Sequence, residues 1–166
     1  MGAVSRSTWS FSRALAYGGA VVGVLDGLDA LVFWGLRGAS PIRVFQGVAA
    51  GLLGRDSFAG GVPTFLLGLL IHFFISFVVV TVYLLAARRI AALARKPWLY
   101  GLLYGVAVFF VMNYGVVPLS AAGGGGPPPF RLTSFLNGVI GHALLVGLPA
   151  ALAAQRAFSR GERAAG

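Results

Sequence analysis

The chain has 166 residues, 58% of them hydrophobic and 10% charged, with a mean hydropathy of +0.87. Soluble domains carry about 25% charged residues, so these values exclude a soluble domain and point to an integral membrane protein. The formal net charge of +9 would suggest nucleic acid elsewhere, but these basic residues stand just outside apolar stretches, where they set orientation and meet lipid headgroups; no nucleic-acid partner is expected.

A spanning helix needs about 20 apolar residues, and four stretches qualify, roughly 15–36, 62–87, 98–118 and 132–154. Arg6 and Arg13 precede the first, as in a secretory signal. That stretch continues through Asp26 and Asp29 without a small-residue cleavage site, so it reads as a retained span. Gly19, Gly23 and Gly27 form a ridge along it that permits close helix approach. The segment SPIRVFQGVAAGLLG, residues 40–54, is too short to cross. Ser40 can cap a helix there, Pro41 suits its first turn and Gly54 can end it, which predicts an interfacial helix over 41–53. Ile42, Phe45, Val48, Ala49, Leu52 and Leu53 would form its apolar face. An ordinary connecting helix packed on the bundle fits the same pattern.

Along the second span, Thr64, Gly68, His72 and Ser76 recur every fourth residue, with Tyr83 further down that face. The third has a ridge at Gly101 and Gly105, then Phe109, Phe110 and Asn113. SAAGGGGPPPF, a flexible run followed by a stiff one, reads as an exposed loop. The fourth span repeats the four-residue spacing at Ser134, Gly138 and His142, and Gly141 leaves room beside the histidine. Together these predict an all-α membrane protein: one integral domain, four transmembrane helices in an up-down bundle, and the short interfacial helix between the first two. GLLIH and GVIGH in the second and fourth spans, with Tyr-Gly opening the first and third, suggest two parallel hairpin repeats.

Arg6, Arg13, Arg88, Arg89, Arg95, Lys96, Arg156, Arg160 and Arg163 fall on one side, against Arg37, Arg43, Arg55 and Arg131 on the other. The bias predicts cytoplasmic termini. Trp9 and Trp98 then lie near the inner boundary and Trp34 near the outer one.

With no cysteine, Asp26, Asp29, Asp56, Glu162, His72 and His142 are the only side chains left for ordinary acid–base or metal chemistry. From the 1.5 Å rise per residue, His72 is roughly 14 Å in from Pro63, His142 roughly 15 Å in from Leu132, and Asp26 and Asp29 about 15 and 10 Å in from Leu36. All four share one slab of a core about 30 Å thick. A carboxylate in low dielectric takes a proton or finds a cationic partner, and Asp–His pairing is the simplest solution. Such pairing can simply hold helices in register. Alternatively Asp26, Asp29, His72 and His142, with Asn113 and Ser76 nearby, bind or relay a proton or cation for transport or sensing. A metal held by His72 and His142 lacks a close motif such as HxxxH. No cofactor is expected, the alternative being a b-type haem ligated by both histidines, with Gly68 and Gly138 admitting the porphyrin. Nothing in the pattern argues for an enzyme: Ser76, Thr81 and Ser134 lack G-x-S-x-G or Ser-Lys context. Asp56 shapes a turn, and Glu162 is a solvated tail charge. Four spans seldom enclose a full path, so a homo-oligomer or a partner membrane subunit is expected. The rival functional reading is a non-catalytic accessory subunit.

Several segments resemble one family. They are GVLDGLDA, GASPIRVFQGVAAGLLG followed by FAGG, LGLLIHF, YGVAVFFVMNYGVVPLS and GHALLVGLPAAL, within about residues 14–156. They resemble the YagU-like family of small bacterial inner-membrane proteins. The resemblance implies a four-span protein of the bacterial inner membrane and places Asp26, His72, Asn113, Pro118 and His142 at recurrent positions. It supplies no substrate, and the GGGGPPP loop departs from the family pattern.

Overall fold

The computed structural model describes residues 9–124 and 129–158. Arg6, Arg160, Glu162, Arg163 and most of the glycine–proline loop lie outside the described residues. The elements are helical, with no strand among the described residues. In chain order they are α1 (Phe11–Gly35), α2 (Pro41–Leu53), a 3₁₀ turn (Gly54–Ala59), α3 (Gly61–Arg89), α4 (Ala91–Arg95), α5 (Pro97–Val111), α6 (Val117–Leu119), α7 (Leu132–Gly141) and α8 (Leu148–Phe158). Two π-helical segments, Met112–Val116 and His142–Gly147, join α5 to α6 and α7 to α8. Four continuous helices are thus long and apolar enough to cross a membrane: Phe11–Gly35, Gly61–Arg89, Pro97–Leu119 and Leu132–Phe158. The protein is a multi-pass membrane protein.

The spans exceed their apolar stretches because caps, not hydropathy, end a helix. Ser10 caps α1, its hydroxyl accepting from the Arg13 amide at 3.2 Å, so the helix begins at Phe11, four residues before the apolar run. At the far end of α8, Phe158 packs on the core four residues beyond Ala154. Ser40 caps α2 through the Arg43 amide, Pro41 opens it, and Gly54, at φ 62°, ends it in a backbone shape that glycine adopts freely.

Lipid tails are as apolar as leucine, so burial alone cannot drive these spans together; close packing must. On the side carrying Arg13, Arg88, Arg89 and Arg156, the core is dry and fine-grained. Ala14, Val80, Leu84, Ala150, Ala151 and Ala154 are fully buried there. Tyr83 and Tyr104 pack edge to face at 4.9 Å within this layer, and their hydroxyls donate to the Leu93 and Val79 carbonyls. On α3 the buried face runs Gly68, His72, Ser76, Val80, Tyr83, which is the polar, small face that the four-residue spacing marks.

Helix α2 lies across the opposite side. Phe45 packs between Phe65 and His72, the Phe45 carbonyl stands against Gly68, and the Gly51 carbonyl accepts from the Ala121 amide at 3.0 Å. The helix therefore reaches from the α1–α3 seam to the end of the third span. Its apolar face is divided. Phe45, Ala49 and Ala50 are buried, while Ile42, Leu52 and Leu53 face outward. Gln46 is buried in place of Ile42, since its amide donates to the Gly61 carbonyl and to the Thr64 hydroxyl.

Candidate functional site

Three glycines spaced four residues apart on α1 leave a slot at Gly23 and Gly27, and His72 of α3 enters it. Its Nε2 lies 2.8 Å from the Gly23 carbonyl, and a methyl group at Gly27 would lie 3.2 Å from the same nitrogen. The ring is held edge to face between Phe45 and Phe73, at 5.6 and 5.5 Å. A carbonyl only accepts, so Nε2 carries the hydrogen. That leaves Nδ1 with its lone pair toward the Asp26 carboxylate, 3.9 Å away. The separation is too long for a hydrogen bond and short enough for an ion pair once the imidazole is charged.

Asp26 and His72 line a cavity of about 100 Å³, together with Ser76 and His142. A water molecule needs about 10–15 Å³ of such space, so there is room for several. The Ser76 hydroxyl donates back to the His72 carbonyl at 2.9 Å. His142 opens the π segment of the fourth span, a deformation that recurs at functional sites. Its ring meets Phe109 at 5.7 Å and has no hydrogen bond among the described residues. Val22, Val79, Val108 and Val146 also line the cavity, each on the dry-core side of the polar residue on its own span. Val48 of α2 lines the opposite side.

The remaining sequence candidates lie elsewhere. Asp29 accepts from the Asn137 amide of α7 at 2.8 Å, in the space Gly141 leaves open. Asn113 donates to the Phe109 carbonyl on its own helix at 3.0 Å. Neither lines the cavity. One acid thus faces α3 and the other faces α7, because different helices stand beside α1 at the two positions. Asn137 is missed by counting ionisable groups alone; an amide in an apolar span needs a partner, and that is its signal. The buried Ser57, whose hydroxyl has no hydrogen-bond partner among the described residues, leaves no sequence signal.

The glycines serve packing. Gly19 and Gly23 receive the rings of Phe77 and Phe73, whereas Gly101 and Gly105 meet the backbone at Gly147 and at His142. The two glycines that would admit a porphyrin are occupied, Gly68 by the Phe45 backbone and Gly138 by the Phe109 ring. With His72 Nε2 bonded to Gly23, the bis-histidine haem site does not fit. Among the described residues, no three His, Asp or Glu side chains come together as a metal-ligand set. Comparison of the chain with family models, curated proteins and solved structures gives no match, so the functional reading rests on the geometry of this site.

Proposed function

We propose that the protein binds a proton at the Asp26–His72 pair and uses it for transport or sensing in a bacterial inner membrane. The observation that carries the reading is the fixed tautomer: Gly23 holds Nε2–H, so the basic nitrogen faces a carboxylate on the wall of a cavity. With imidazole neutral and Asp26 ionised, the pair carries one negative charge. A proton arriving at Nδ1 makes it neutral and draws the two groups into an ion pair without disturbing the Gly23 bond. His142, free of hydrogen bonds among the described residues and in the same cavity, is the second acceptor to which the proton passes through water. Orientation with cytoplasmic termini is supported by the basic residues flanking the spans. Membership of the YagU-like family belongs to the same proposal, on the segments that resemble it. A working unit larger than one chain is part of it too, either a homo-oligomer or an assembly with a partner membrane subunit.

Purified protein in vesicles containing a pH-sensitive dye tests the reading. His72→Gln keeps an amide donor for Gly23 but cannot titrate; Asp26→Asn removes the carboxylate. Both are expected to fold and to slow proton uptake at least about tenfold. Folded variants with wild-type uptake would leave Asp26 and His72 as packing groups only, the role expected in an accessory subunit.

A further inference from the structure

We infer that the cavity is loaded only from the side on which α2 lies, and that α2 is its gate. The inference rests on the proton-binding reading for what enters, but the route stands on separate observations. Toward the basic side, the four lining valines are followed by Val80, Leu84, Ala150, Ala151 and Ala154, all fully buried, and by two tyrosines whose hydroxyls are already committed to carbonyls. Among the described residues that layer offers no buried unsatisfied polar group along which water or a proton could step.

Toward the other side the barrier is one helix thick. Phe45 covers the His72 ring and Val48 lines the α2 side of the cavity that Asp26 also lines. Beyond them lies a polar elbow of Gln46, Thr64 and Ser57. Ser57 is completely buried with an unpartnered hydroxyl among the described residues, the condition that an internal water relieves. The gate is also jointed. Gly38 and Gly54 bracket α2 at φ 88° and 62°, and Gly61 opens α3 at φ 59°, so the backbone at both ends adopts shapes that only glycine takes at no steric cost. The groups facing His72 are Asp26 on α1, His142 in the fourth span, and no titratable side chain on α2 or α5.

The chain has no native cysteine, so introduced thiols report without background. Ser76→Cys puts a thiol in the cavity wall, and Met112→Cys repeats the measurement from the opposite wall. Silver ions, small and membrane-impermeant, are applied to vesicles from each side, and protected thiols are counted by later maleimide labelling. Reaction is expected from the α2 side and at least about tenfold slower from the basic side. A methyl group at Gly51 would lie 4.0 Å from the Ser120 Cβ, which suits a disulfide. Oxidising Gly51→Cys with Ser120→Cys is expected to fix α2 and slow silver about tenfold, with reduction restoring the rate.

Equal or faster reaction from the basic side would overturn the route. A crosslink that forms without slowing silver, or a pair that does not form it, would overturn the gate. Neither readout involves titration of His72. Sided access with unchanged proton uptake in the Asp26 and His72 variants would therefore sink the proton reading and keep the route.

Discussion

The two helix hairpins use the same device, small residues four apart, to opposite ends. In the seam between α1 and α3 the glycines of one helix receive side chains of the other: Phe77 at Gly19, Phe73 at Gly23, His72 at Gly27. In the seam between the third and fourth spans Gly138 still receives the Phe109 ring, but Gly105 and Gly147 receive main chain, with the His142 carbonyl against Gly105 and the Gly101 carbonyl against Gly147. The first arrangement makes slots and orients a histidine. The second brings two backbones into contact, and the π segment His142–Gly147 lies in that contact. A glycine ridge therefore specifies close approach but not what approaches.

That contrast can be broken by substitution. Gly105→Leu is expected to have the largest effect, because the clash is with backbone and no neighbouring side chain can swing aside. A loss of about 3 kcal/mol or more, read by denaturant titration of tryptophan fluorescence in micelles, is expected, with no rescue by a second substitution. Gly19→Ala meets only the Phe77 ring, so a smaller loss of about 1–2 kcal/mol should be largely recovered when Phe77→Ala is added. Additive losses in that double variant would show the α1–α3 seam to be as rigid as the other.

His72→Phe keeps an aromatic ring in its slot and loses only the bond to Gly23, which should cost about 1 kcal/mol. A much larger loss would mean that the Asp26 pairing contributes most of the stability at that seam. The smallest effect is expected at Gly47, which lies exposed on α2 with nothing within 4 Å of an added methyl group. Gly47→Ala should raise stability by about 0.5–1 kcal/mol through helix propensity, and destabilisation would reveal a contact on the outer face of α2.

How much of this was legible in the sequence differs by level. Hydropathy marks the four spans, and Ser40, Pro41 and Gly54 mark both ends of α2, because caps and apolar length are local properties. The meeting of Asp26 with His72 is foreshadowed by depth and face, which follow from helix geometry alone. The parting of Asp29 toward Asn137 is not, since it depends on which neighbour stands beside each face of α1. Nor is the burial of Gln46 in place of Ile42. An average hydropathy cannot register two hydrogen bonds offered by the start of α3. The widened turns Met112–Val116 and His142–Gly147 do have a local signature that hydropathy ignores: each is followed two residues on by a proline, Pro118 and Pro149, which cannot donate to the carbonyl four residues back.

The widened turn at His142–Gly147 has a corollary for chain length. A π segment is an α-helix that has absorbed a surplus residue within one coil, leaving the lengths on either side in their own phase. Histidine upstream and the alanines downstream can therefore both address the bundle although no single helical period relates them. Deleting the exposed Leu144 is therefore expected to restore an ordinary α-helical turn while the inward positions on either side keep their faces.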